Sequence, residues 1–314
     1  MNKYNIITGK DFMSRFVGSV FSNILRKLDL NLGEYTTSDL KMIESLLGDS
    51  VIITNSYNKY IDESVHKFLG PENKFYLVSR FNSVGNLDIV SNQNNNLLSA
   101  TSDLFTSLKL WTIYDSEKTK GKDFILNTIK RLEDLADGVN AFLVWDTDNK
   151  NFSDIEKFYD FYNMTHNILP EDIDTSKISL TTGNEQALKG YRGYKSGIVN
   201  ETVAFLTNKK YWLAKNGIIP VDNKYPEFIS AISNTYWKAS PENVEPLLFY
   251  KTDGTKYMIQ LRTTNGVNAK DTLDNILACS NYNKEIVYSG GNAGASFAKI
   301  YLNSNKVFIK NLNL

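Results

Sequence analysis

The sequence predicts a mixed α+β protein: a helical amino-terminal part, a central α/β-like unit and a β-rich carboxy-terminal part with hairpins. Three observations carry this expectation. Apolar residues from Phe12 to Leu28 recur every three to four positions, the period of a helix with one buried face. Residues 141–151 read AFLVWDTDNKN, an apolar run closed by turn-forming residues, as at the end of a buried strand. Near the carboxy-terminal end, two apolar runs flank Thr252-Asp253-Gly254, and Asp-Gly favours the positive φ angles of a tight hairpin.

In chain order, the first helix presents Phe12, Phe16, Val17, Val20, Phe21, Ile24 and Leu28 on one face, with Thr8 available as its cap. A second helix is expected after Thr37, stopping at Gly48, and a third over Tyr57–Leu69, ending at Gly70-Pro71. Lys74–Arg80 and Leu87–Val90 read as strands. The Asn-rich stretch 91–96 is a possible domain break, and a helical segment follows over Leu97–Trp111.

Lys122–Asp137 carries Phe124, Ile125, Ile129, Leu132 and Leu135 at helical spacing, with Gly138 placed to stop the helix. Ala141–Trp145 then reads as a central strand and 154–163 as a helix. The glycine-rich run GNEQALKGYRGYKSG (183–197) reads as a hinge or long loop. This places the domains at 1–180 and 181–314. Beyond it come helices at Asn200–Lys215 and Pro226–Trp237, the hairpin Leu247–Lys251 with Lys256–Leu261, and a helix over Ala269–Cys279 that Asn268 can cap. Strands are expected at Glu285–Tyr288, Phe297–Leu302 and Lys306–Ile309.

Composition narrows the function. Thirty-five basic and 35 acidic residues cancel, which argues against a protein that coats nucleic acid or an anionic membrane. Cys279 is the single cysteine and His66 and His166 the two histidines, so a disulfide framework and a cysteine-rich zinc site are excluded. The opening residues MNKYNIITGKDF lack the apolar core of a signal peptide, and no run approaches the roughly 18 apolar residues of a membrane span. Cytoplasmic synthesis is the expectation. Thirty-six asparagines, and six arginines against 29 lysines, are the usage of an A+T-rich genome.

The acidic pair Asp146 and Asp148 is the sharpest chemical signal. On a strand, residues two apart share a face, so the pair could hold Mg²⁺ or Mn²⁺ for a nucleotide or nucleotide-sugar transferase. A local reading assigns every acid a structural role instead. Ser153 and Glu156 have capping-box spacing, Asp154 meets the positive end of the helix dipole, and Asp146, Asp148 and Asn149 make the turn. On that reading no cofactor is needed. SGGNAGAS (289–296) lacks phosphate-loop spacing and reads as a flexible turn. Tyr191, Arg192 and Tyr194, together with Trp212 and Trp237, are candidate binding residues for a glycan, a receptor or bases.

With no catalytic motif and a neutral charge, the expected function is a structural or interaction protein in a multi-subunit assembly. A bacteriophage virion component, of tail, baseplate or collar, is the specific expectation, with other protein subunits as partners and no strong nucleic-acid signal. The transferase using Asp146 and Asp148 and the glycan- or receptor-binding module are the alternatives.

Overall fold

The chain is a mixed α+β protein. Its computed structural model describes residues 3–8, 11–27, 31–36, 50–54, 74–78, 119–174, 176–214, 217–252, 256–264, 266–279, 286–291 and 295–301. Contacts divide the chain into two units, Met1–Tyr191 and Arg192–Leu314.

The first unit opens with a strand, not a helix. β1 (Lys3–Thr8) leads into α1 (Phe12–Lys27), followed by β2 (Asn31–Thr36), β3 (Ser50–Thr54) and β4 (Lys74–Val78). The strands form one parallel sheet in the order β2-β1-β3-β4. In that register Thr36, Thr8, Thr54 and Val78 end the four strands side by side. The all-helical reading of the amino-terminal part is therefore corrected. Strands of five or six residues with so few apolar positions, as in β1 to β3, have no periodicity to separate them from helical turns. The helices expected after Thr37 and over Tyr57–Leu69, the strand Leu87–Val90, the break at 91–96 and the segment Leu97–Trp111 lie outside the described residues.

The first helix forms as its apolar spacing predicts. Phe12, Phe16, Val17, Val20, Phe21 and Ile24 are all buried. They share a core with Ile6 of β1, with Leu132, Leu135 and Val139 of α2 (Thr119–Val144), and with Ile155, Phe158 and Phe161 of α3 (Phe152–Thr165). Each such side chain contributes about 1.5–3 kcal/mol by leaving water. Polar ties set the helix position: the Ser19 hydroxyl donates to the Ile168 carbonyl at 2.6 Å, and Asn23 Nδ2 donates to those of Pro170 and Ile173 at 2.6 and 2.7 Å.

The expected strand at 141–145 is also corrected. Helix α2 continues to Val144, and the chain turns at Trp145, whose φ is 58°. Gly138 does not stop the helix but lies buried inside it. A Cβ there would stand 2.6 Å from the Asn151 carbonyl oxygen, so glycine permits the close approach of α2 to the start of α3. Ser153 is inside α3, and the N-cap residue Asn151 makes no side-chain capping bond, which removes the Ser153/Glu156 capping box. Asp154 does sit in the first turn, paired with Arg131 Nη2 at 2.7 Å and Lys157 Nζ at 3.4 Å. After α3, a short antiparallel pair, β5 (Ile173–Asp174) and β6 (Ser179–Leu180), completes the described part of this unit's strands.

The glycine-rich run 183–197, expected as a hinge, is helical. It belongs to α4 (Thr182–Leu213), which begins in the first unit and continues into the second. Leu188, Lys195, Val199, Val203, Leu206 and Lys210 are buried along one stripe. Four glycines cost about 1 kcal/mol each relative to alanine, and tertiary burial overrides that local penalty.

In the second unit β7 (Ile219–Asp222), β8 (Leu247–Thr252), β9 (Lys256–Arg262), β10 (Ile286–Gly291) and β11 (Ala295–Tyr301) form a sheet in the order β10-β11-β9-β8-β7. β7 runs parallel to β8; the other pairs are antiparallel. The predicted hairpin is present as β8 and β9. A 3₁₀ turn at Pro226–Phe228 precedes α5 (Ile229–Ala239). Asn268 Oδ1 caps α6 (Ala269–Cys279), accepting from the N–H groups of Lys270 and Asp271 at 3.0 and 3.2 Å. The strand expected at Lys306–Ile309 lies outside the described residues. Among the described residues no helix is long and apolar enough to cross a membrane.

Two glycine substitutions separate packing from propensity. Gly138→Ala should destabilise the protein by about 1–3 kcal/mol through the clash with Asn151. Gly190→Ala, in open space on α4, should stabilise it by about 0.5–1 kcal/mol. Thermal melts of the two variants should move in opposite directions, and a shared direction would refute the close-approach account.

A candidate anion site at the edge of the parallel sheet

In open parallel sheets, ligands bind beyond the carboxyl ends of the strands, where the strand order reverses. Here the order reverses at β1: β2 flanks it on one side and β3 on the other. β1 and β3 end level with each other, at Thr8 and Thr54. Asp11 directly precedes α1.

Asp11, not Thr8, caps that helix. Its Oδ1 accepts the Ser14 N–H at 3.1 Å, its Oδ2 accepts the Ser14 hydroxyl at 2.5 Å, and its carbonyl accepts the Arg15 N–H at 3.1 Å. Thr8 is the last residue of β1 and is buried, and its hydroxyl oxygen accepts from Arg15 Nη1 at 3.3 Å. Phe12 anchors the turn from below, with ring centroids 5.2–6.4 Å from those of Phe16, Phe142, Tyr159 and Tyr162. Burial, then the nearby Asp11 carboxylate, push the Tyr162 phenol above its usual range, with Arg15 partly offsetting them.

The residues singled out from sequence fall elsewhere. Asp146 and Asp148 are exposed in the α2–α3 turn, where Asp146 Oδ1 accepts the Asp148 N–H at 3.2 Å. The strand face they were to share does not exist. Asn149 and Asn151 donate instead to Asp137 Oδ2 at 2.9 and 3.0 Å and hold that carboxyl below its ordinary range. Tyr191 packs against the first-unit core, and Arg192 is half-buried on α4. Tyr194 is exposed and sets its ring edge against Tyr225 and Phe228. Trp212 is exposed, whereas Trp237 is half-buried and donates its Nε1–H to the Glu245 carbonyl at 3.1 Å. SGGNAGAS is largely strand: Ser289–Gly291 belong to β10, and Ser296 of β11 donates its hydroxyl to the Ala269 carbonyl at 2.7 Å. Sequence reading names Thr8 only as a helix cap and does not single out Asp11, Ser14 and Arg15, because it expects a helical amino-terminal part and assigns no strand to residues 3–8. KYNIIT followed by Gly-Lys-Asp and an amphipathic helix was the available signal.

No family model matches the chain, and no curated protein matches it. Solved structures share its fold. RecJ from Thermus thermophilus in complex with Mn²⁺ is similar at a TM-score of 0.53 and 10% identity, over 95% of this chain and 49% of RecJ. The chain thus spans about half the length of that protein. The DHH domain of a member of the s1p family of ribosomal proteins is similar at 0.53 and 11% identity, over 99% of this chain and 85% of that one. An exonuclease RecJ bound to manganese aligns at 0.47 and 11% identity, over 95% and 86%.

These likenesses are of fold, and they correct the expected function. The architecture is that of RecJ and a DHH domain, so the bacteriophage virion component working through other protein subunits is set aside, as is the absence of a nucleic-acid signal. The glycan module goes with it, and the Asp146/Asp148 transferase has lost its strand. RecJ's Mn²⁺ raises the question of whether such an ion fits here. Mn²⁺ and Mg²⁺ favour carboxylate, carbonyl and water oxygens. Among the described residues this edge offers the Asp11 carboxylate, already engaged by Ser14. Among the described residues no group of three or more His, Cys, Asp or Glu could hold a metal. The described donors do not fit the ion.

Asp11→Ala should cost about 1 kcal/mol through loss of the cap, read as a lowered Tm. An unchanged Tm would mean that Ser14 is satisfied without Asp11. For Asp137, whose pKa is depressed, the stabilising contribution is complete above the ordinary carboxylate range and fades as pH falls through the lowered value. Asp137→Asn should therefore weaken the acid-side fall in stability, measured by denaturant melts across that range. An identical pH profile in the variant would reject the assignment.

Proposed function

We propose that this chain is a DHH-fold protein that binds the phosphate of a nucleotide or nucleic-acid end at the carboxyl edge of its parallel sheet, using protein donors instead of a bound divalent ion. The carrying observation is Arg15, tied to Thr8 at 3.3 Å in the first turn of α1, at the point where the strand order reverses. A guanidinium carries five N–H donors in a fork that matches phosphate, and the Thr8 bond occupies one. The positive end of α1 adds to the attraction. Asp11 and Phe12 act as positioning residues, holding the turn so that Arg15 stays at the edge. The likeness in fold to RecJ and to a DHH domain supports the ligand class. The neutral net charge is compatible with a local phosphate site rather than a coat of basic residues.

Calorimetric titration with a nucleoside monophosphate and with a short 5′-phosphorylated oligonucleotide, both in EDTA, tests this reading. Binding should persist in the chelator, and Arg15→Ala should weaken it about tenfold or more, as expected for a lost charge-assisted bond. Absence of binding to either ligand would remove the reading. Mn²⁺-dependent cleavage of the oligonucleotide by the wild-type chain would overturn its metal-free part.

A further inference from the structure

The outer face of α4 in the second unit is unusual for a helix surface. Phe205, Tyr211 and Trp212 are 54%, 82% and 85% exposed. Phe205, Lys209 and Trp212 follow i, i+4, i+7 spacing and so share one stripe about 10 Å long. Lys209 is exposed between the two rings. Between Glu201 and Asp222 the sequence contains no acidic residue; Glu201 and Asp222 line a cavity together with Phe205, and Lys209 is the exposed lysine of the stripe.

The helix end beneath the rings is braced. Lys210 is buried, and its Nζ donates to the Glu242 carbonyl at 3.2 Å and to Asn243 Oδ1 at 3.4 Å, 3.9 Å from Glu245 Oε1. Glu245 also accepts the Tyr236 hydroxyl at 2.9 Å. The same ammonium lies 5.2 Å over the Tyr211 ring. Lysines offset the negative end of a helix dipole, but that role needs no exposed indole. Protein-docking surfaces are depleted in lysine at their centres. Aromatic faces interleaved with cations, by contrast, suit an anionic chain of flat groups, since bases stack on rings while ammonium groups neutralise phosphates.

We propose that the Phe205–Lys209–Trp212 stripe, extended by Tyr211, is a stacking surface for single-stranded nucleic acid, distinct from the sheet-edge site. It rests on the function proposed above for ligand class alone.

The test is fluorescence anisotropy of a labelled oligothymidylate of about 16 nucleotides, in EDTA, with the full chain. Trp212→Ala should weaken binding about five- to a hundredfold, Trp212→Phe should retain most of the affinity, and Lys209→Ala should reduce the salt slope by about one. Because these side chains are exposed, all three variants should melt with the wild type. Mononucleotide binding should respond to Arg15→Ala and ignore Trp212→Ala. Unchanged oligonucleotide affinity in Trp212→Ala overturns the stacking surface, with the sheet-edge reading intact if mononucleotides bind. Trp212-dependent oligonucleotide binding without mononucleotide binding sinks the sheet-edge reading instead. A dimer that dissociates in Trp212→Ala with oligonucleotide affinity unaltered would assign the face to a second copy of the chain.

Discussion

The burial of one face of α1 is the interaction on which the first unit depends. Phe12, Phe16, Val17, Val20, Phe21 and Ile24 enter a core shared with β1, α2 and α3. The aromatic end of that face is its most constrained part. Phe12 meets Phe142 and Tyr159 edge-on and stacks on Phe16, and such pairs add about 0.5–1.5 kcal/mol each beyond area burial. Asp11 immediately precedes this ring, and Arg15 lies one turn further on. Core packing therefore sets where the capping carboxylate and the guanidinium stand relative to the sheet edge.

The joint between α2 and α3 shows how local polar chemistry serves the same packing. The helices approach so closely at Gly138 that no side chain fits against Asn151. The chain must then reverse within a few residues, and it does so with Trp145 at positive φ and with Asp146, Asn149 and Asn151 bonding to backbone and to Asp137. Short polar side chains satisfy amide groups there that a metal would leave unpaired. Asp146 and Asp137 accept bonds within this joint, and Asp154 pairs with Arg131.

A fold shared with RecJ and a DHH domain does not carry chemistry with it, because function resides in sites placed on folds. The parallel sheet supplies a reversal point, and any chain with that topology has a crevice available there. Among the described residues, this edge carries the Arg15 guanidinium, the Thr8 and Ser14 hydroxyls and the Asp11 carboxylate, which is engaged in capping. The second unit contributes a different surface, where exposed rings on α4 flank the exposed Lys209 above a buried Lys210–Glu245 contact.

Elements whose signals are local were legible in the residues alone. The apolar face of α1, the β8–β9 hairpin around Asp-Gly and the Asn268 cap of α6 each depend on spacings of a few residues, and each stands where the sequence places it. So did the mixed α+β class. Tertiary structure alone decided the rest. β1 is a strand because Thr8 finds Thr36 on one side and Thr54 on the other, partners remote along the chain. Residues 183–197 are helical because one face of α4 is buried, at the cost of four glycines. Ala141–Val144 continues α2 because Gly138 lets α3 dock against it. Pairing, burial and close approach join distant segments, and a periodicity or a cap reports only on its neighbours.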